Sequence, residues 1–236
     1  MNTTAEFREI IGQLKKLMIS NMGMGLNFPA FSQSSGKNLS ETRSQAGSIE
    51  DLKDLIGDCR RCKLWHGRTS LVFGEGAPRA RLVFVGEGPG REEDLEGRPF
   101  VGEAGKLLTK IIEKGMGIKR EEVYICNVVK CRPPNNRDPE RDEIETCIPF
   151  LKEQIRIIGP EVICVLGRIA GRGLFGRDFK ITRERGSWDS FMDIPVMPTY
   201  HPAYLLRNPK RERQLKGEVW QDIQEIMARL GLEVKK

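Results

Sequence analysis

Acidic and aromatic side chains follow the end of an apolar segment in the sequence RLVFVGEGPGREEDLEGRPFVGEAG. The apolar run Leu82 to Val85 is typical of a strand covered on both faces, and the glycine-rich run Gly86 to Gly90 ends it. The carboxylates of Glu87 and Glu93 and the ring of Phe100 come soon afterwards. The sequence therefore predicts a reactive pocket at the end of this strand.

Cysteine is the second residue type whose number and spacing suggest chemistry. Six cysteines in a chain expected to be cytoplasmic favour metal or cluster ligation over disulfides. Cys59 and Cys62 form a Cys-x2-Cys pair, and Cys131 and Cys147 complete a set of four thiolates. On spacing grounds this set suits zinc and an iron-sulfur cluster equally well, and His66 could serve as a zinc ligand.

Two phosphate-binding motifs are incomplete in this chain. A dinucleotide fingerprint GxGxxG would use Gly86 and Gly88, but its third glycine position holds Arg91. A P-loop would end within GEAGKLL, but the hydroxyl residue that must follow the lysine is Leu107. The sequence therefore predicts neither a Rossmann cofactor site nor an NTPase.

Alternating strands and helices must position these residues. Strands are predicted at 81–86, 123–129, 161–166 and 195–199, and the main helices at 49–57, 102–115, 141–158 and 210–231. Cys126 and Cys164 lie within apolar strand runs, where we expect them to pack as small hydrophobic side chains. The order of elements predicts an α/β fold with a parallel sheet covered by helices on both faces, and ligands bind such sheets at the carboxyl ends of the strands.

Residues 1–48 are predicted to precede a compact domain that covers residues 49–236. Apolar side chains recur at helical spacing over residues 5–18, which predicts a short amphipathic helix. Residues 21–48 are rich in Gly, Ser, Asn and Gln, a composition typical of a flexible linker.

The charge balance favours an acidic partner. The chain has 39 Lys and Arg residues against 33 Asp and Glu residues, which gives a formal net charge of +6. Nucleic acid is the commonest acidic partner of small basic intracellular proteins. No apolar run approaches the ~20 residues of a membrane span, and the N-terminus lacks a signal-peptide pattern. We therefore expect a cytoplasmic monomer that binds no membrane.

Four longer motifs resemble those of the family 4 uracil-DNA glycosylases. They are GEGPGREEDLEGRPFVGEAG, VYICNVVKCRPPNNRDP, FKITRERG and TYHPAYLLRNP, and they occur in the family's order. The resemblance covers about residues 49–230. It implies a three-layer α/β/α sandwich with a central four-stranded parallel sheet. It also implies a DNA repair enzyme that flips uracil out of DNA and hydrolyses its N-glycosidic bond, leaving an abasic site.

The resemblance also implies a cofactor, a structural 4Fe-4S cluster. The family's four cysteine ligands correspond to Cys59, Cys62, Cys131 and Cys147. This correspondence favours iron-sulfur over zinc for the set of thiolates.

Four residues resemble the family's base-binding residues. Phe100 corresponds to the residue that stacks on the base, and such stacking is worth ~1–3 kcal/mol. Asn127 can donate to uracil O4 and accept from N3–H through one amide, whereas cytosine presents the reversed pattern. Glu93 corresponds to the position that lines the C5 edge and excludes the methyl group of thymine. Gly88 keeps its loop close enough for the backbone to contact the base.

Two further residues resemble the family's catalytic residues. Cleavage of the glycosidic bond develops negative charge on the departing uracil and positive charge on the sugar. His201 corresponds to the donor to uracil O2, a role that a neutral imidazole can fill. Glu87 corresponds to the residue that orients or activates the attacking water and stabilises the cationic sugar.

Cationic side chains near the motif loops are predicted to neutralise DNA phosphates. They are Lys106, Lys130, the segment Arg132 to Arg137, Arg183 and Arg185. The segment from Ala203 to Pro209 resembles the loop that enters the duplex, and Leu206 and Arg207 are the candidates for filling the space of the flipped nucleotide. The expected partner is thus uracil-containing DNA, single- or double-stranded.

Two other functions stay open at this point. One is a broader glycosylase that also removes hypoxanthine or other deaminated bases. The other is a noncatalytic, metal-stabilised DNA-binding module, which would keep its DNA affinity when Asn127 and His201 are replaced.

Overall fold

The structure is a computed structural model, and it describes residues 46–233. The helix predicted over residues 5–18 lies outside the described residues, as does almost all of the linker predicted over 21–48. The first described helix begins at Ile49, where the sequence predicts the start of the compact domain. Ser48 Oγ accepts from the Asp51 amide at 3.0 Å, and Asp51 Oδ2 accepts from the Ser48 amide at 3.0 Å, so a capping box fixes this helix start. The division into residues 1–48 and 49–236 stays a prediction.

The described residues form one six-stranded sheet in the order β1-β3-β2-β4-β6-β5. The strands are β1 (Glu75–Gly76), β2 (Leu82–Gly86), β3 (Tyr124–Asn127), β4 (Val162–Leu166), β5 (Asp189–Phe191) and β6 (Ile194–Thr199). Every residue of β2, β3 and β4 is buried, as expected for strands covered on both faces.

The four central strands, β3, β2, β4 and β6, are parallel to one another. The short strands β1 and β5 pair antiparallel at the two edges. The prediction of an α/β fold is confirmed. The predicted four-stranded sheet is incomplete, because it lacks the edge strands β1 and β5. The edge strands were not predicted from the sequence, because they are short and partly exposed and neither contains an apolar run.

The helices are α1 (Ile49–Ile56), α2 (Arg91–Glu96), α3 (Glu103–Lys110), α4 (Arg141–Ile158), α5 (Gly167–Phe175), α6 (Ile181–Glu184), α7 (Pro202–Leu206) and α8 (Glu212–Arg229). A π-helical segment, Ile111–Met116, continues α3. The predictions for α1, α3, α4 and α8 are confirmed, with ends shifted by a few residues. The sequence did not predict α2, α6 and α7, which are too short to show a complete apolar stripe. It also did not predict α5, whose sequence GRIAGRGLF is rich in glycine, a poor helix former.

Two apolar clusters cover the two faces of the sheet. On one face, α1, α4 and α5 pack against side chains such as Val83 and Ile163. On the other, α3 and α8 pack against side chains such as Phe84 and Val162. Cys126 and Cys164 lie in these clusters with no exposed surface, which confirms their predicted place in the core. No helix between residues 46 and 233 combines the length and apolar character needed to cross a membrane.

Candidate active site

A cleft of about 650 Å³ opens at the carboxyl ends of the parallel strands. The structure brings together in its lining all six residues predicted for the base pocket, namely Glu87, Gly88, Glu93, Phe100, Asn127 and His201. Strand register explains this convergence. Gly86 ends β2 and pairs with Asn127 at the end of β3, so Glu87 and Asn127 reach the same edge of the sheet. His201 follows the end of β6 at Thr199, with Tyr200 between them.

The side chain of Asn127 carries an unpartnered acceptor. The residue is 1% exposed, and its Oδ1 is the one buried side-chain nitrogen or oxygen without a hydrogen bond among the described residues. Leaving such a group unpaired costs about 1–3 kcal/mol. An orphaned acceptor inside a cleft is therefore available to a ligand that brings its own N–H donor.

Gly86 makes the room that Asn127 and Phe100 occupy. A Cβ on Gly86 would fall within 3.0 Å of Asn127 Oδ1 and of the Phe100 ring, closer than real Cβ contacts. Gly88 is similarly close to a neighbour, since a Cβ there would lie 2.7 Å from Val129 Cγ2. Both glycines therefore let the GEGPG loop approach the neighbouring strand.

Replacing Gly86 with alanine is expected to reduce kcat/KM for the predicted release of uracil at least about tenfold, because the methyl group displaces the Phe100 ring and the Asn127 amide together. Overpacking should also lower the free energy of unfolding by about 1–3 kcal/mol. Steady-state kinetics and denaturant unfolding measure the two effects. Gly217→Ala is the matched control, since a Cβ at Gly217 meets nothing within 4 Å. Wild-type kinetics in Gly86→Ala would contradict the packing described above.

Phe100 adopts a left-handed backbone conformation, with φ of 54°. This conformation is uncommon for residues other than glycine and needs support from its surroundings. Glu93 supplies that support, because its carboxylate accepts from the amides of Val101 at 3.0 Å and Gly102 at 2.9 Å. It also accepts from the Gly90 amide at 3.1 Å. Glu93 thus ties two cleft loops together, a role that the sequence did not reveal.

The His201 ring is fixed in one tautomer. His201 is the N-cap of α7, and its Nδ1 accepts from the Ala203 amide at 3.1 Å, so the ring proton belongs on Nε2. Burial, reinforced by Arg207, lowers the pKa of His201 to about 4. The ring centroid lies 5.5 Å from that of Phe100. At neutral pH His201 is therefore an uncharged donor through Nε2.

The half-buried carboxyl of Glu87 is poised to act as a base. Burial and the nearby Asp138 carboxylate raise the pKa of Glu87 to about 7, against the opposing effect of Arg168, Arg207 and Arg172. A general base works best when its pKa lies near the working pH. Glu87 can therefore accept a proton from water at neutral pH.

Glu87 is also expected to reduce the stability of the fold. Its folded pKa of about 7 exceeds the ordinary value of 4.5, so the folded state binds the extra proton between these pH values. Stability therefore falls as pH rises through this window. Glu87→Gln should raise the free energy of unfolding by about 2 kcal/mol at pH 8 and leave it nearly unchanged at pH 4. Thermal unfolding at both pH values tests this, and equal gains at both would contradict it.

Asp138 and Arg168 are among the charged residues of the cleft that sequence analysis missed. Both line the cleft, and Arg168 Nη2 lies 2.6 Å from Asp138 Oδ2. A signal for Arg168 was present, because only Gly167 separates it from the end of β4, and the carboxyl ends of parallel strands face ligands. Asp138 follows an irregular loop, for which the sequence gives no comparable rule.

Two of the predicted phosphate-binding cations are structural. Lys130 is buried, and its Nζ donates to the Asn127 carbonyl at 2.8 Å and to Gln154 Oε1. Arg185 pairs with the buried Asp222 carboxylate. The prediction that these two cations contact DNA is wrong, because buried polar partners already hold them.

Other predicted DNA contacts stay accessible. Lys106 and Arg183 are exposed, although Lys106 pairs with Glu103 at 2.6 Å. Arg137 is partly engaged, since it pairs with Glu143 at 2.6 Å. In the candidate insertion segment, Leu206 is 46% exposed, and with Leu95 and Met192 it makes up the exposed large hydrophobic residues of the described chain.

The four predicted thiolate residues, Cys59, Cys62, Cys131 and Cys147, line one small cavity. Within residues 46–233, no three His, Cys, Asp or Glu side chains are arranged to hold a single metal ion. Four thiolate residues around one cavity form a ligand set of the kind that zinc and a 4Fe-4S cluster both use. His66 is exposed and does not line the cavity, so the structure does not support it as a zinc ligand.

Comparison with known proteins identifies the family of this chain. Residues 73–224 match the family model described as the uracil DNA glycosylase superfamily. Type-4 uracil-DNA glycosylases are similar to this chain. One from Sulfurisphaera tokodaii is 50% identical and covers 76% of this chain and 84% of its own. One from Thermotoga maritima is 49% identical, with 75% and 91% covered. One from Archaeoglobus fulgidus is 44% identical, with 76% and 92% covered.

The superfamily match spans more than half of the chain, and these relatives extend over most of it. The fold and the cleft are consistent with membership of this superfamily, because the cleft opens at the carboxyl ends of parallel strands. The chain belongs to the type-4 uracil-DNA glycosylases.

Proposed function

We propose that the cleft binds a uracil flipped out of DNA and that Glu87 and His201 promote hydrolysis of its N-glycosidic bond. As a type-4 uracil-DNA glycosylase, the protein is a monofunctional DNA repair hydrolase that acts on N-glycosyl bonds. Its substrate is uracil-containing DNA. An enzyme that acts on a base must first extrude it from the stack, at a cost of a few kcal/mol.

The observation that carries the proposal is the orphaned Oδ1 of Asn127. The N3–H of uracil is a donor that can satisfy this acceptor, while the amide nitrogen of Asn127 donates to O4. Cytosine has no hydrogen on N3 and carries a donor in place of O4, so it would leave the same acceptor unpaired. A site built on such a contact rejects an analogue that lacks the donor.

We propose that the ring of Phe100 stacks on one face of the base. Gly88 and Glu93 also line the cleft. We assign the exclusion of the thymine methyl group to Glu93. Because the Glu93 carboxylate also accepts three backbone hydrogen bonds, its position cannot shift to admit a methyl group without loosening two loops.

In the reaction, the bond between C1′ and N1 breaks and its electron pair leaves with uracil. His201 Nε2–H stabilises the negative charge that develops on O2, and a neutral ring suffices for this role. Glu87 takes a proton from water as the water oxygen bonds to C1′, and before that its carboxylate stabilises the positive charge on the sugar. Solvent then protonates the uracil anion, and an abasic site remains in the DNA.

Exposed cations next to the cleft are proposed to hold the DNA backbone. Arg207 lines the cleft next to the exposed Leu206, so this segment can contact phosphates and fill the space of the flipped base. We propose that the protein acts as a monomer. A DNA substrate fits the predicted cytoplasmic location.

We propose that Cys59, Cys62, Cys131 and Cys147 hold a 4Fe-4S cluster. When bound, the cluster would serve structure, since it would join the Cys59–Cys62 segment to the loop after β3 and to α4. Arg68 supports this arrangement, because its Nη1 donates to the Cys59 carbonyl at 2.7 Å and lies 3.1 Å from Cys131 Sγ. A cation beside a thiolate stabilises the charged form that binds iron.

Replacing Cys131 with serine is expected to remove most of the bound iron and to lower the unfolding temperature, because the cluster loses one of four ligands. Iron analysis, visible absorbance and thermal unfolding measure these losses. Cys126→Ala is the matched control, since Cys126 lies in the core. A colourless, zinc-containing wild-type protein would contradict the iron-sulfur assignment.

The decisive test of function is an assay on matched oligonucleotides that contain uracil, thymine, cytosine or hypoxanthine. We expect alkali-labile abasic sites from the uracil substrate, and loss of this activity in Asn127→Ala. Comparable release of hypoxanthine would favour the broader glycosylase. DNA binding without product from cluster-loaded protein would overturn the proposal in favour of a noncatalytic module.

A further inference from the structure

Hydrogen bonds join the two cysteine segments, Cys59–Cys62 and the loop that carries Cys131, to the segment that begins at Arg68. The Arg68 side chain is only 7% exposed. It reaches both cysteine segments, through the Cys59 carbonyl at 2.7 Å and Cys131 Sγ at 3.1 Å. Its third contact is Asp58 Oδ1, at 2.6 Å. Arg68 therefore fixes the start of the next segment relative to the cysteines.

The next two residues bind α2 through a buried carboxylate. The Thr69 amide donates to both oxygens of Asp94, at 2.9 and 3.1 Å, and the Ser70 amide donates to Oδ1 at 3.3 Å. Asp94 is 2% exposed. Burying a carboxylate costs desolvation free energy, and hydrogen bonds from these backbone donors offset that cost. No step of the proposed reaction uses Asp94.

The neighbouring residue of α2, Glu93, faces the base pocket. Its carboxylate accepts from Val101 and Gly102, the two amides that follow the left-handed Phe100. The adjacent carboxylates of Asp94 and Glu93 on α2 thus bind two different segments. Asp94 binds the segment beside the cysteines, and Glu93 binds the segment beside the base pocket.

Helix α2 cannot hold this position by itself. It spans six residues, Arg91–Glu96, and helices this short are not stable alone in water. Its Arg91, Glu92, Leu95 and Glu96 side chains are exposed, so they contribute little packing. The order of α2 therefore depends on the hydrogen bonds of Glu93 and Asp94.

We propose that Asp94 is a positioning residue that couples the order of the cysteine segments to the Phe100 wall of the base pocket. When the cysteine segments are assembled, Thr69 and Ser70 anchor Asp94, and α2 in turn presents Glu93 to Val101 and Gly102. When they separate, α2 loses its anchor and Phe100 loses the support of its left-handed backbone. The inference rests on the proposed function for the role of Phe100 and on the proposed cluster for the assembly of the cysteine segments.

Native-state hydrogen exchange on the cluster-loaded protein tests this coupling. Asp94→Asn keeps the size of the side chain but turns one acceptor into a donor that faces donor amides. We expect the amides of Thr69, Ser70, Val101 and Gly102 to exchange about tenfold faster in this variant. Glu96→Gln on the same helix is the matched control and should exchange like wild type. Faster exchange at Thr69 and Ser70 alone would overturn the coupling.

A second measurement uses the wild-type protein and so does not depend on the folding of a variant. As a chelator removes iron, exchange at Val101 and Gly102 should accelerate in step with the loss of visible absorbance. Amides of the β5–β6 hairpin, residues 189–199, should not change with it. Unchanged exchange at Val101 and Gly102 after complete iron loss would refute the proposal. Neither measurement uses base release, so a failed glycosylase assignment would be recognised separately.

Discussion

Glu87→Gln is expected to slow uracil release by about 10²–10⁴-fold, the range typical of losing a general base. Glutamine has nearly the same shape but cannot accept the proton of the attacking water or offset the positive charge on the sugar. Single-turnover kinetics on a uracil oligonucleotide measure the loss without interference from product release. Binding of uracil-containing DNA should change little, because the variant retains Phe100 and Asn127.

The pH profile provides a second, independent result for Glu87. In the wild type the single-turnover rate should rise with pH through about 7, as the Glu87 carboxyl loses its proton, and then level off. The Gln variant should lack this rise. A wild-type rate independent of pH between about 5 and 9, or the same rise in the Gln variant, would show that another group is the base.

His201→Asn is expected to slow the reaction by about 10²–10³-fold, the usual effect of losing one donor to a developing oxyanion. Asparagine is a good N-cap, so its Oδ1 can still accept from the Ala203 amide and preserve α7. The variant therefore removes the Nε2–H donor while it keeps the local fold. Single-turnover kinetics, with thermal unfolding as the check on structure, measure the effect.

The pH profile also distinguishes a neutral His201 from a proton-donating one. Since burial lowers the pKa of His201 to about 4, the ring is already neutral at pH 6. The wild-type rate should therefore show no fall above pH 7 from loss of an imidazolium proton. Such a fall, absent from His201→Asn, would mean that a charged ring protonates the leaving base. A loss of less than about threefold in the variant would remove His201 from the mechanism.

The sequence predicted the core of the site because apolar strand runs show where each strand ends. Glu87 and Asn127 come at the ends of such runs, and parallel pairing brings those ends to one edge. The family motifs then supplied the roles of Phe100 and His201. The same rule applied to β4 would have indicated Arg168, which we missed.

Burial of individual cations could not be predicted in the same way. Lys130 and Arg185 stand in motif loops like the exposed cations, and nothing in the adjacent sequence shows their partners. Those partners, Gln154 and Asp222, lie on helices 24 and 37 positions away. Whether a lysine or arginine contacts solvent or a buried acceptor is decided by packing between distant segments.

The hydrogen bonds that Glu93 and Asp94 accept from other loops were not predicted, for a related reason. Its sequence, GREEDLE, is strongly acidic and is typical of a solvated surface turn. Two of its carboxylates, those of Glu93 and Asp94, are instead buried on backbone amides of other loops. Backbone donors leave no trace in the sequence, because every residue other than proline carries one.

The absence of a side chain at Gly86 bears on how new substrates could evolve in this scaffold. The Asn127 amide and the Phe100 ring both occupy the space that a side chain at Gly86 would need, and glycine has no side chain to shorten. A variant that accepts a larger base could not gain space by a smaller side chain at this position of the sheet, because Gly86 has none. It would have to move the Phe100 loop, and with it the short helix that the cysteine segments anchor. Under the proposed coupling, a change in base preference would then also change the order of the cysteine segments.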